Sequence, residues 1–188
     1  AVAALALAAD LPLIPYPQSV ETPGGELAVS APVTITVLSK TQGDRFTATM
    51  LQEELYNTAG VRATVSAVPR AGRGVMIGYA DNETIAGQIE KLGLDTETLS
   101  RPESYLLSVD QSGALIASKT PAGLFYGVQT LRQLVRPAAT RGHATIPHVK
   151  IADWPALRHR ALSIDVSRGP ILTEEQMRTA IRTLAEYK

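Results

Sequence analysis

Residues 105–135, YLLSVDQSGALIASKTPAGLFYGVQTLRQLV, decide how the chain is built. Two apolar runs, 105–109 and 114–118, flank the turn-forming tetrapeptide Asp110-Gln111-Ser112-Gly113, so they are predicted to pair as a β-hairpin with a loop of about four residues. Thr120 then offers a hydroxyl to cap a helix, and Pro121 a preset φ at its first position. Leu124, Val128, Leu131 and Val135 follow at i, i+4, i+7 and i+11, the apolar stripe of a helix that Pro137 ends. A hairpin leading into an amphipathic helix points to a sheet with helices packed on it.

Upstream, the same reasoning adds elements of both kinds. Residues 26–38 alternate apolar and polar side chains, reading as one or two strands interrupted at Pro32. Residues 44–58 carry Phe46, Met50, Leu51 and Leu55 at helical spacing, with Gly60 where a positive φ is wanted. Strands are expected at 61–68 and 74–78, and the polar stretch 81–102 is expected to be a surface excursion. Pro12, Pro15 and Pro17 forbid helix near the start and favour an extended segment on the surface or a sheet edge. Residues 145–151 read as one extended segment. The fold class that results is α+β: residues 11–152 form a domain with helices on one face of a mixed or antiparallel sheet.

Beyond that domain the Trp154-Pro155 step reads as a linker, because the residue before a proline is pushed out of helical backbone. Residues 161–166 (ALSIDV) are then predicted to form a strand, and Thr173 with Gln176 a capping box opening a helix whose apolar face is Met177, Ile181 and Leu184. A lone strand–loop–helix unit cannot bury both faces of its strand, so residues 153–188 are expected to be the beginning of a second domain that the chain leaves unfinished.

Composition narrows function by exclusion. The 188 residues carry 18 Lys+Arg against 18 Asp+Glu, a net charge of zero, which gives no field for gathering nucleic acid or anionic lipid. No cysteine is present, ruling out disulfides, thiolate nucleophiles and Cys-based metal sites. Residues 1–9 (AVAALALAA) are all small and apolar, and Ala6-Leu7-Ala8 has the A-x-A look of a cleavage site before Asp10. Residues 1–10 are therefore expected to be an export-signal remnant or a disordered arm, implying a periplasmic or extracellular protein. They are too short to span a bilayer, which needs about 20 apolar residues.

Three stretches, in order, resemble family 20 glycoside hydrolases, the β-N-acetylhexosaminidases. Glu103-Ser104-Tyr105 running into the hairpin, with Thr120-Pro121-Ala122-Gly123-Leu124-Phe125-Tyr126-Gly127 after it, is similar to the hairpin and helix of the accessory domain preceding the barrel. Ile151-Ala152-Asp153-Trp154-Pro155, followed by Arg158 and Arg160, resembles the linker, although Arg160-Ala161 stands where Arg-Gly is usual. Asp165-Val166-Ser167-Arg168 resembles the D-x-S-R segment closing the first barrel strand, with Gly169 where His often follows. Residues 13–18 (LIPYPQ) resemble the proline-rich approach to these enzymes. The resemblance implies an accessory domain followed by the first βα unit of a truncated (β/α)8 barrel.

It further implies exo-acting hydrolysis of terminal N-acetylhexosamine by substrate-assisted, retaining catalysis. The 2-acetamido carbonyl attacks the anomeric carbon, a Glu serves as general acid and a neighbouring Asp orients the acetamido group. Arg168, just past a barrel strand, is the implied substrate-binding residue, and a guanidinium suits sugar hydroxyls. The alternative for Arg168 is a surface arginine paired with Asp165, itself expected to be structural.

No Asp-Glu pair is present to do the chemistry. The adjacent acids, Glu53-Glu54 and Glu174-Glu175, fall in predicted helices and read as solvated faces, so the catalytic set is empty and the 188 residues alone are expected to be inactive. His143, His148 and His159 lack metal-ligand spacing, and no metal or cofactor is expected. Gly72-x-Gly74 with Gly78 precedes a strand rather than joining strand to helix, which disfavours a dinucleotide loop. His159, Ser163 and Asp165 share one strand's parity, but a triad draws on separate elements. Trp154 reads as packing between domains more readily than as a sugar platform. Besides the hexosaminidase reading, with N-acetylhexosamine-containing glycans as partners, a non-catalytic carbohydrate-binding or scaffold module stays open, as does a related glycosidase family with a similar accessory domain.

Overall fold

The computed structural model describes residues 11–39, 41–70, 72–165, 167 and 171–188; the expected export-signal stretch and Arg168 lie outside the described residues. In chain order the elements are β1 (Ser19–Glu21), β2 (Glu26–Ser30), β3 (Val33–Leu38), α1 (Gln42–Ala59), β4 (Ala63–Ser66), β5 (Gly74–Tyr79) and α2 (Glu83–Lys91). A 3-10 turn (Glu97–Ser100) leads into β6 (Tyr105–Asp110), β7 (Gly113–Ser118), α3 (Pro121–Leu134), β8 (Arg136–Pro137), β9 (His143–Pro147), β10 (Val149–Asp153) and α4 (Glu174–Glu186).

Seven strands form one mixed sheet in the order β1-β10-β6-β7-β5-β3-β4. The β7-β5-β3-β4 half is parallel and the β1-β10-β6-β7 half antiparallel. A small antiparallel sheet, β2-β9-β8, packs with the same core. The hairpin is tighter than expected: Asp110 pairs with Gly113, leaving Gln111 and Ser112 as the loop, and Gly113 has φ 146°, a value that favours glycine.

Helix α3 forms as its sequence dictates. Thr120 Oγ1 accepts from the Gly123 amide, Pro121 occupies the first turn, and Leu124, Val128 and Leu131 are fully buried against the sheet. Each such side chain contributes about 1.5–3 kcal/mol on leaving water. Close approach is allowed by Gly127, where a Cβ would lie 2.6 Å from Ile116 Cγ2 and 3.2 Å from the Tyr105 ring. Helix α1 lies beside α3 on the same face, ended by Gly60 at φ 72°. It buries Ala48, Leu51, Leu55 and Ala59, whereas Phe46, expected on the apolar stripe, is exposed.

The structure corrects three expectations. Helices cover both faces of the large sheet, because residues 83–91 form α2 and pack Ile85 and Ile89, with Leu99, over Leu106, Leu115 and Ala117. The hairpin strands are apolar on both faces, and so require cover on both. Residues 145–151 are not one segment: His148 separates β9 from β10, which belong to different sheets. Finally, residues 161–165 join no sheet, and Val166 lies outside the described residues. A strand exists by its ladder partners, and this stretch has none among the described residues. Helix α4 does form, with the expected Thr173–Gln176 capping box, but it buries no residue.

Candidate functional site

Where β10 leaves the sheet, Asp153 becomes the meeting point of four separate parts of the chain. Its Oδ1 accepts from the Gln18 amide at 3.1 Å, anchoring the proline-rich arm. Its Oδ2 accepts from Tyr105 Oη at 2.8 Å, on β6, and from Lys188 Nζ at 3.0 Å, after α4. Thr130 of α3 closes the set, 2.6 Å from Tyr105 Oη and 3.0 Å from Lys188 Nζ. Strand register places Asp153 opposite Tyr105, so two sequence-distant polar groups meet through an ordinary antiparallel pair. Burial, then the Asp153 charge, pushes the Tyr105 hydroxyl well above 10. Burial also pulls the Lys188 ammonium below 10.5, although Asp153 opposes that shift.

Next to this hub Arg160 binds the seam from outside. Its Nη2 donates to Glu103 Oε2 at 2.7 Å and Tyr126 Oη at 3.0 Å, and its Nη1 donates to the Leu157 carbonyl at 2.6 Å. The Glu103 hydrogen bond raises the Arg160 pKa further. Tyr16, Tyr126, Trp154, Glu103 and Arg160 line a mainly apolar cavity of about 180 Å³ over the hub. Trp154 is half-buried with the Arg101 guanidinium 4.2 Å from its ring centre, a cation–π stack.

This arrangement holds segments together; it presents no poised nucleophile or acid among the described residues. The Asp153 carboxylate is committed to three donors, and Glu103 to Arg160. Of the adjacent acids in the helices, Glu174 is exposed and paired with Arg178, and Glu54 pairs with Arg132 at 3.0 Å. Asp165 Oδ1 accepts from the Ser167 amide and hydroxyl at 2.7 and 2.6 Å. His143 and His159 are exposed and His148 leans on the Gly24 carbonyl, and no cluster of three or more potential metal ligands occurs among the described residues. No described helix is long and apolar enough to cross a membrane.

Sequence reasoning did not assign roles to Tyr105, Thr130, Asp153, Glu103 or Arg160 as a group. The available signal lay in the landmark stretches themselves, since Glu103, Tyr105, Tyr126, Asp153 and Arg160 all sit inside them and converge in space.

The fold and the seam together define a class: an α+β domain whose exit strand is tied to the segment that follows it. The chain belongs to glycosyl hydrolase family 20, matching that family's domain 2 over residues 10–154. A β-N-acetylhexosaminidase of Cellulomonas fimi is 31% identical over 179 residues, an alignment that takes in 95% of this chain and 33% of that protein. A β-hexosaminidase of Vibrio furnissii is 30% identical over 183 residues, covering 96% of this chain and 25% of the relative. In structure, an inactive mutant of the family 20 exo-β-N-acetylglucosaminidase of Vibrio harveyi superposes with a TM-score of 0.72 at 21% identity, over 94% of this chain and 24% of that one. The chain thus spans a quarter to a third of the length of these relatives.

Proposed function

We propose that this chain is the N-terminal part of an exo-acting β-N-acetylhexosaminidase, in which residues 11–152 brace the first βα unit of a (β/α)8 barrel, residues 153–188. The single observation that carries this reading is that similarity to hexosaminidases continues past domain 2 through nearly the whole chain. The Asp153 hub and the Arg160 clasp support it, because they bind the segment after β10 to the body through charged groups.

In this reading hydrolysis removes terminal N-acetylhexosamine with retention, the substrate's acetamido group supplying the nucleophile. Arg168 grips the sugar through the fork of donors on its guanidinium. The Asp-Glu pair that orients the acetamido group and protonates the leaving oxygen belongs to sequence beyond these 188 residues, which by themselves turn over no glycoside. The small apolar run at 1–9 supports export to the periplasm or medium.

The test is hydrolysis of an aryl N-acetyl-β-glucosaminide by the product of the complete reading frame. Turnover is expected, with Arg168→Ala lowering kcat/KM by at least about 100-fold, the scale of losing charge-assisted contacts to substrate. An intact barrel carrying an Asp-Glu pair but inert toward this substrate would overturn the assignment.

A further inference from the structure

On the α2 face the sheet changes character along its strands. Under α2 it is apolar, with Leu38, Leu106 and Ala117 meeting Ile85 and Ile89. Helix α2 stops at Lys91, and beyond its end the sheet surface is left open as a cleft of about 370 Å³. One register row crosses the floor: Thr36 of β3 opposite Met76 of β5, then Leu115 of β7, then Ser108 of β6. The next row is stripped of side chains where Gly74 faces Gly113. A Cβ at Gly113 would lie 2.5 Å from the Gly74 carbonyl, so this part of the floor stays bare backbone.

Two features decide what chemistry the cleft offers a ligand. Thr36 and Ser108 line it while only 5% and 3% exposed, and neither hydroxyl has a hydrogen-bond partner among the described residues. Both side chains line the cleft, so their hydroxyls are available to whatever polar group enters it. Around the rim stand Arg70, Arg73 and Lys91, none of them ion-paired among the described residues, against a single carboxylate, Asp110, which is occupied with the Ser112 amide and hydroxyl. On a chain of zero net charge this is a local cationic excess. No aromatic ring of the described residues lines the cleft, so a neutral sugar would find no face to stack on.

We propose that this cleft is a carbohydrate site, distinct from both the Asp153 seam and the sugar contact proposed for Arg168, that takes an acidic saccharide. The ligand's carboxylate or sulfate is met by Arg70, Arg73 and Lys91, and its ring hydroxyls by Thr36 and Ser108. Arginine forks match planar carboxylate and tetrahedral sulfate alike, so the shared chemistry is an oxyanion on a polyhydroxylated ring.

Titration calorimetry of the 188-residue chain tests this with three probes: a glucuronate-containing disaccharide, a sulfated disaccharide and neutral N,N′-diacetylchitobiose. Binding of either acidic probe in the millimolar range or tighter is expected, weakened by added sodium chloride, with the neutral disaccharide at least tenfold weaker; which acidic probe binds better identifies the oxyanion. Charge reversal at two rim positions, R70E with K91E, is expected to abolish binding without altering the circular dichroism spectrum. Thr36→Val, which keeps the shape and removes the hydroxyl, is expected to weaken binding by roughly two- to tenfold. Failure of both acidic probes to bind, binding indifferent to R70E/K91E, or equal affinity for the neutral disaccharide would overturn the proposal. None of these outcomes depends on glycosidase activity.

Discussion

Helices α3 and α4 are alike in length and both carry an apolar stripe, yet they live in different circumstances. Helix α3 buries Leu124, Val128, Leu131 and Leu134 completely between α1 and the sheet. Helix α4 leaves Met177, Ile181 and Leu184 42–60% exposed and buries nothing. Among the described residues no apolar side chain beyond Asp153 is buried, so the hydrophobic core is complete without residues 154–188. What attaches the later region is polar: Lys188 to Asp153, Arg160 to Glu103, and Gln133 Nε2 to the Glu186 carbonyl at 3.2 Å. The difference teaches that amphipathicity states what a helix needs, while only the neighbouring elements decide whether it is met.

The largest expected effect tests whether the seam belongs energetically to the body. Replacing Asp153 by alanine strips a buried ammonium and a buried tyrosine hydroxyl of their carboxylate partner, leaving their contacts with Thr130, and is expected to cost about 3–5 kcal/mol in urea unfolding. A loss below about 1 kcal/mol would show that the hub is ornamental. The paired substitutions Leu131→Ala and Leu184→Ala sharpen the contrast between the helices. The first creates a core cavity and is expected to cost about 2–5 kcal/mol; the second is expected to stay within about 0.5 kcal/mol, as for an exposed site. Similar values for the two would erase the distinction.

Alkaline pH probes the body with a smaller signal. The Tyr105 hydroxyl is pushed well above 10 by burial and then the Asp153 charge, and Tyr79 to about 12 by burial and then its hydrogen bond to Asp44. Unfolded tyrosines ionise near 10, so above that pH the folded state holds more protons and stability falls as pH rises. Lys188, lowered by burial, has the opposite sign, adding stability with rising pH only until the unfolded lysine itself deprotonates near 10.4. The melting temperature is therefore expected to drop between about pH 10 and 12, with Tyr79→Phe reducing the drop; a flat profile would contradict this balance.

Much of the body was legible because local signals agreed with one another. Thr120, Pro121 and the four-residue apolar stripe specify α3 from within, and Gly60 ends α1 where a positive φ was anticipated. The 81–102 stretch misled because its two buried isoleucines, Ile85 and Ile89, are scattered among polar residues; the stronger clue was the two-sided apolarity of the hairpin, which demanded a second cover. Residues 161–165 illustrate the reverse limit, since alternation signals strand propensity but partners come from elsewhere. The Asp153 hub was visible only as separate landmarks, because its parts lie up to 170 positions apart, from Gln18 to Lys188, and only the fold brings them together. The cleft beyond α2 escaped notice for the same reason: Thr36 and Ser108 look ordinary until the register row sets them on one floor.

Hydrogen exchange on the 188-residue chain, resolved by segment, tests the central contrast most directly. The amides of α3 and the β6–β7 hairpin should exchange only on global unfolding, while those in the first three turns of α4 should exchange at least about 100-fold faster through local opening. Equal protection of α3 and α4 would mean that residues 174–186 belong to the same cooperative core, and the reading of the later region as a unit awaiting its own neighbours would be wrong.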